Sequence, residues 1–512
     1  MSLSQPARDL QTLVLSCHPL IVIETIEEER VAALLAQTAQ DMQMPMMEWS
    51  YAQGLCRTSG TFRAPWDEGY AKSGNQAQAF DGTVEPAEML KHIAELKVQA
   101  IYWLKDLGEH LRDPKVARHL REVIGAFAQN RTVMVVTGER VELPGAIAYD
   151  AAYCDLKLPN AQELGRIVRQ VVRHLSAKNR IQIHLEPADE VALVHALSGM
   201  TLNQARQSLS YAAMEDGRLD ASDVSNILHR KSQIIRAGGL LEYFPVEDLP
   251  TALGGFAGLK TWLSRARVGF SPQAQALNLQ PPKGILIVGM QGCGKSLAAK
   301  AIARAWKMPL LKLDAGRLYN KYVGESESNF RKAVTLAEGI APAVLWIDEI
   351  EKSFGNSGGD GGDGGLSQRL FGSFLTWLQE KSQEVFVVAT ANDISKIPPE
   401  LLRKGRFDEI FFVDLPTAAE RETILRLHLK KRKQEPQQFD LAGLVAATDG
   451  FNGAEIEQAV ITALYRALHQ QQALETELLI TQIREMIPLS VARRADLERL
   501  RAIAQTSFVS AS

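Results

Sequence analysis

Cysteine is scarce: there are four in 512 residues, Cys17, Cys56, Cys154 and Cys293. They lie far apart without metal-ligand spacing, which argues against a disulfide framework or a thiolate metal site and for a reducing, cytoplasmic compartment. Long apolar runs are missing too. No stretch approaches bilayer length, and the first residues, with Arg8, Asp9, Glu24 and Glu27, hold no apolar core of a secretory signal. A charge excess is equally absent. Lys plus Arg is 57 against Asp plus Glu 60, so a net charge of −3 offers no global basic field for nucleic acid or an anionic membrane. The longest basic run, Lys430-Lys431-Arg432-Lys433, reads as a solvated helix face, and no His-Glu-x-x-His protease motif occurs. What remains is ordinary soluble composition, 46% hydrophobic and 23% charged, over a length that allows two or three domains.

One stretch organises the chain. Gly289-Met290-Gln291-Gly292-Cys293-Gly294-Lys295-Ser296 has the phosphate-loop pattern of Gly, four residues, then Gly-Lys-Ser/Thr. The apolar run Gly284–Val288 before it reads as a buried strand, and Lys295–Lys307 after it has helical spacing. Glycines let successive backbone N–H groups turn inward around phosphate oxygens, and a helix N-terminus adds partial positive charge. Lys295 is expected to reach the β and γ phosphates of ATP and Ser296 to hold Mg²⁺, with Leu297 in the first helical turn beside them. Cys293, inside the loop, reads as a small neutral filler rather than a redox switch.

Further carboxylates and cations follow in order. Val344-Leu345-Trp346-Ile347-Asp348-Glu349 is an apolar strand ending in two acids. Asp348 is expected to orient Mg²⁺ and Glu349 to take a proton from the water attacking the γ-phosphate. Solvated strand-end acids are the alternative. Val385–Ala389 runs into Thr390-Ala391-Asn392, where Asn392 can position that water. Arg403 and Arg406, within Leu401–Asp408, can neutralise charge on a transferring phosphoryl group or serve as surface charge.

Taken together, these four motifs resemble the AAA ATPases of the protein-remodelling branch. The resemblance extends to Lys321-Tyr322-Val323-Gly324-Glu325-Ser326-Glu327, similar to the family's pore loop, and to Leu253-Gly254-Gly255, similar to its adenine-contacting segment. It implies that Arg403 and Arg406 are arginine fingers for a neighbouring subunit's nucleotide, hence a ring, usually a hexamer. It also implies that Lys321, Tyr322 and Val323 line a pore in which an aromatic ring grips extended peptide. With the long first half and Phe371–Glu380, the chain most resembles the AAA proteins first noted as a hypothetical reading frame of algal plastids and cyanobacteria. Ala454 stands where some AAA relatives carry a nucleotide-sensing arginine. The glycine-rich stretch 355–365 reads either as a flexible linker or as the family's second pore loop.

The first half repeats the order of signals without the phosphate loop. Leu20–Ile23 precedes a helix from Glu27, and Met44-Pro45 parallels Met308-Pro309. Ala100–Leu107 parallels Ala343–Ile350, with Lys105 in the place of Asp348. Val133–Val136 parallels the strand before Asn392, with Arg140 near the Asn position, and Gly199 and Gln207 match Gly450 and Gln458. Glu24, Glu27, Glu28 and Glu29 stand where phosphate would bind, and are expected to satisfy the helix N-terminus themselves and to repel a polyphosphate.

The expected fold class is α/β. Residues 1–240 form a degenerate AAA-like module, 241–416 the large ATPase subdomain with a parallel sheet, and 417–512 a helical lid and a tail that packs on the lid or the first half. The expected activity is Mg-ATP hydrolysis by a ring-forming motor that remodels or translocates a protein partner. The alternative is an ATP-gated scaffold that assembles with nucleotide but threads nothing. A nucleic-acid motor has less support, since no basic patch or nucleic-acid-reading motif is present.

Overall fold

Two parallel sheets carry the chain, each built from the apolar runs that the sequence brackets with turns. The structure is a computed structural model that describes residues 5–511 apart from 59–78, 97, 129, 178–180, 250–254, 315–316, 319–324, 355–363, 382 and 404. The chain divides into two compact units, Met1–Leu158 with Thr201–Arg206, and Pro159–Met200 with Gln207–Ser512.

In the first unit, β1 (Leu20–Glu24), β2 (Met46–Ser50), β3 (Gly54–Arg57), β4 (Ile101–Lys105), β5 (Val133–Gly138) and β6 (Ala151–Tyr153) form one sheet in the order β3-β2-β4-β5-β1-β6. All neighbours are parallel except β2 and β3. Alternating strand residues enter two cores. Ile21, Ile23, Trp103 and Val135 pack with Leu10, Val31 and Leu35, while Val22, Tyr102, Leu104 and Val136 pack with Leu90, Ile93, Leu120 and Ile124. Helices on both faces are what a sheet of near-continuous apolar strands requires.

One expectation fails here. The glutamates do not cap the helix Glu28–Asp41: its N-cap, Glu27, makes no side-chain cap bond. Glu27 instead accepts the Leu202 N–H (2.8 Å) and pairs with Arg30 (3.1 Å), and Glu24 accepts the Val141 N–H (3.0 Å). Tertiary donors win because these part-buried groups would otherwise lack partners.

The second unit opens with the helices Ala161–Ala177, Pro187–Leu197 and Asp223–Ala237 and most of Leu202–Glu215, together with the two-residue pair β7 (Gln182–Ile183) and β8 (Arg218–Leu219). Its main sheet contains β9 (Leu241–Phe244), β10 (Gly284–Gly289), β11 (Leu310–Leu313), β12 (Ala343–Ile347), β13 (Val385–Ala391), β14 (Glu409–Val413) and β15 (Val509–Ser510). The order is β15-β14-β10-β13-β12-β11-β9, antiparallel only at β9. The five-stranded parallel parts, β6-β1-β5-β4-β2 and β14-β10-β13-β12-β11, therefore have one winding. The α/β class holds in both units, and the first half carries the AAA-like topology read from the repeat. Gly199 and Gly450 share a positive φ, +81° and +78°.

Lid helices Ala418–Lys431, Leu441–Ala447, Gly453–His469 and Thr476–Glu485 enclose their own core around Leu425, Leu444, Ile456 and Val460. The tail, expected from Glu475 onward to pack on the lid or the first half, divides: Leu478, Leu479 and Ile480 pack in the lid core, but its last helix does not. Leu497, Leu500 and Ala504 of the helix Arg494–Ser507 enter the core of the large subdomain, and β15 extends its sheet beside β14. An uncovered β14 would leave a row of unpaired backbone groups at the sheet edge, which the tail strand satisfies.

Candidate nucleotide site

The phosphate-loop residues lie between the end of β10 and the helix Lys295–Trp306. Gly292 and Gly294 have φ of +83° and +87°, a region costly for any residue with a Cβ. At Gly292 space is closed as well, because an added Cβ would lie 2.6 Å from Asn452 Oδ1. Asn452 caps the lid helix Gly453–His469 by accepting the Glu455 N–H (2.9 Å), and its Nδ2 donates to the Gln291 carbonyl (3.4 Å). The lid therefore begins on the loop.

Met290 and Cys293 are buried. Burial pushes the Cys293 thiol up to about 11, with Lys295 opposing, so it is an uncharged filler at neutral pH. Lys295 is buried, and its Nζ donates to the carbonyls of Gly289 (2.8 Å) and Met290 (2.7 Å). Burial pulls its pKa below the usual lysine value, while Cys293 and the acids Glu351, Asp348 and Glu349 oppose that shift. Ser296 and Leu297 occupy the first helical turn.

The carboxyl ends of β12 and β13 meet this loop. Asp348 Oδ1 accepts from Thr390 Oγ1 (2.6 Å) and lies 3.4 Å from Ser296 Oγ, and Lys312 Nζ is 3.8 Å from Oδ2. Glu349 has a left-handed backbone, φ +48°, and its N–H donates to Thr390 Oγ1 (3.2 Å). Glu349 Oε1 accepts from Asn392 Nδ2 (2.9 Å), and Oε2 pairs with Lys352 (2.6 Å). Glu351 accepts the Asn392 N–H (2.9 Å), and burial raises its pKa.

The loop, Ser296, Asp348, Glu349 and Asn392 thus come together. Gly255, at φ +74°, packs against Glu420 where the lid begins, and the following Phe256 ring would meet a Cβ on Gly294 at 3.5 Å. Gly254 lies outside the described residues, as do Lys321, Tyr322, Val323, Gly324 and residues 355–363. Arg403 is exposed and Arg406 donates to the Leu375 carbonyl (3.3 Å); neither hydrogen-bonds or ion-pairs with Lys295, Asp348 or Glu349. Thr390, Lys312, Glu351 and Asn452 were not singled out from sequence. Thr390 had a signal, since Thr137 occupies its place in the repeat. Glu351 had none, because four residues past the end of β12 sequence spacing does not reveal burial.

A nucleotide fits this set. The loop has two glycines in left-handed backbone, a buried ammonium turned onto it, and two oxygens from separate elements, Ser296 and Asp348, of the hard type Mg²⁺ selects. Comparison with family models matches residues 285–415 to the ATPase family associated with various cellular activities (AAA). Residues 6–156 and 162–238 match the N-terminal and second domains of SpoVK-like AAA ATPases. The AAA domain-containing protein ycf46 of Pyropia yezoensis is 35% identical over 501 residues, 97% of this chain and 96% of that protein. The chain belongs to the AAA ATPases.

As an AAA ATPase it is a nucleotide-binding, ATP-hydrolysing enzyme. A ycf46 protein of Trieres chinensis is 34% identical over 98% of this chain and 97% of that protein. The proteasome-activating nucleotidase of Aeropyrum pernix is 36% identical over 202 residues, 38% of this chain and 48% of that protein. Among the described residues no helix is long and apolar enough to cross a membrane.

Proposed function

We propose that this AAA ATPase hydrolyses Mg-ATP at the loop of Gly289–Ser296, with Glu349 as the base and Asn392 as its positioning partner. The observation that carries the reading is the Asn392 Nδ2 to Glu349 Oε1 bond of 2.9 Å, which orients a carboxylate beside the phosphate loop. Lys295 and the loop N–H groups bind phosphate, and Ser296 and Asp348 hold Mg²⁺. The ion supplies charge neutralisation for the transferring phosphoryl group. Lys295 shares that task, and Thr390 holds Asp348 in place through its hydroxyl.

Arg403 and Arg406, which have no acidic partner among the described residues, serve the nucleotide of an adjacent subunit in a ring, which we take to be a hexamer. The ring remodels or translocates a protein partner through Lys321, Tyr322 and Val323. Similarity to a nucleotidase whose name says that it activates the proteasome supports a protein substrate. Four free, mutually distant cysteines support a reducing, cytoplasmic setting.

The test is ATPase rate against protein concentration, with Glu349→Gln and Arg406→Ala each mixed into wild type. A steep rise with concentration and suppression by both variants are expected. A concentration-independent rate from a protein that sizes as a monomer defeats the ring. Tyr322→Ala then separates a motor, which loses remodelling but not hydrolysis, from a scaffold, which is indifferent.

A further inference from the structure

Glu351 stands at the start of the short helix Ile350–Phe354 and is 6% exposed. Its Oε1 accepts the backbone N–H of Asn392 at 2.9 Å. Its Oε2 is buried with no hydrogen-bond partner among the described residues. Leaving a buried acceptor unpaired costs about 1–3 kcal/mol, more when charged. A position that only filled space would take an apolar side chain at no such cost.

The orphaned oxygen is accounted for by what the other oxygen does. Asn392 is held at two points by two acids of one turn: its backbone by Glu351 and its side-chain amide by Glu349. Fixing the backbone N–H fixes the origin of the side chain, so the direction in which the Asn392 amide meets Glu349 depends on Glu351. Without that anchor, Asn392 follows the end of β13 alone, and a shift of a fraction of an ångström moves the amide off the carboxylate.

The first unit supplies the contrast. Its turn Lys105-Asp106-Leu107-Gly108 matches Asp348-Glu349-Ile350-Glu351, and Asp106 has the same left-handed backbone, φ +54°. Thr137, like Thr390, receives the backbone N–H of that left-handed residue, here on its carbonyl at 2.8 Å. Gly108 occupies the Glu351 position, and a Cβ there would meet Val141 Cγ1 at 3.2 Å. The turn is kept, while the anchoring carboxylate is absent together with the phosphate loop.

We propose that Glu351 is a positioning residue for ATP hydrolysis, acting through the Asn392 backbone to set the Asn392 amide on Glu349. This rests on Glu349 being the base. The experiment uses the full chain with Glu351→Ala, Glu351→Gln, Asn392→Ala, Glu349→Gln and the Glu351→Ala/Asn392→Ala double variant. Turnover, KM, binding of a non-hydrolysable ATP analogue and melting temperature are measured for each.

Glu351→Ala is expected to lower kcat about 10-fold or more, part of the roughly 10²–10⁴-fold that an oriented base contributes, with analogue affinity little changed. Glu351→Gln keeps the acceptor oxygen and restores most of the rate. The double variant is no slower than Asn392→Ala, because both changes break one linkage. Wild-type turnover in Glu351→Ala, parallel loss of affinity and melting temperature, no recovery in Glu351→Gln, or multiplicative losses in the double variant would overturn the proposal. Undiminished hydrolysis by Glu349→Gln would instead show that the assigned base is wrong.

Discussion

Lys105 on β4 pairs with Glu48 on β2 at 2.7 Å, at the place where the second sheet holds Asp348 and Lys312 at 3.8 Å with the signs exchanged. The registers agree: Glu48 lies opposite Trp103 as Lys312 lies opposite Trp346. The lysine also lies over the matched indole in each sheet, 4.2 Å from the Trp103 ring and 4.5 Å from the Trp346 ring. One sheet geometry thus keeps an ion pair across two strands. In the second unit the acid directly follows β12, whose end meets the phosphate loop; in the first unit the matching strand ends in an ammonium.

A lysine in that position repels a divalent cation, and Glu28 adds a second carboxylate partner at 3.1 Å. The full chain is therefore expected to bind one ATP analogue per polypeptide, measured by titration calorimetry on the Glu349→Gln protein. Two equivalents per chain would contradict the loss of nucleotide chemistry in the first unit. Lys105→Met leaves Glu28 and Glu48 facing each other and should destabilise the fold by about 1–3 kcal/mol without changing that stoichiometry.

Lys231, 2% exposed on the helix Asp223–Ala237, lies with its ammonium 5.1 Å from the Tyr243 ring. Burial pulls its pKa from 10.5 down to about 7. Below about pH 7 the folded chain must bury the charge. Between about 7 and the unfolded value the native state has released a proton that the unfolded chain retains, so stability rises with pH. Lys231→Met should raise the melting temperature, by about 1–3 kcal/mol in stability at pH 6, and flatten this dependence. A melting temperature unchanged or lower at pH 6 would show that the ammonium is stabilised where it lies.

Cys293 tests the phosphate loop from within. A buried thiol raised to about 11 carries almost no thiolate at neutral pH. Peroxide at pH 7 should leave ATP-analogue binding unchanged, and an alkylating reagent should label the half-buried Cys17 and Cys56 well before Cys293. Rapid loss of binding under peroxide, prevented by Cys293→Ala, would make this thiol a redox switch.

The site was largely legible because its parts are local. A phosphate loop is eight consecutive residues between a strand and a helix, and Asp348-Glu349 and Thr390-Ala391-Asn392 are strand ends, so spacing alone predicted their meeting at one edge of a parallel sheet. The internal repeat was legible for the same reason, since strand order follows from the order of apolar runs once the winding is parallel. The tail was not. Helical periodicity in Arg494–Ser507 shows an apolar face but not which core receives it, and Val509–Ser510 is too short to read as a strand.

Sequence by itself therefore determined the family and the α/β class, and marked the Gly289–Ser296 loop and the acids Asp348 and Glu349 as site candidates, because each of these motifs is written in contiguous residues. Only tertiary structure decided where Glu27 bonds, that Lys105 and Glu48 exchange signs with Asp348 and Lys312, that Glu351 is buried under Asn392, and that the tail closes the β14 edge. Those outcomes join residues far apart in the chain, and they are set by which buried donors and acceptors remain to be paired once the sheets have formed.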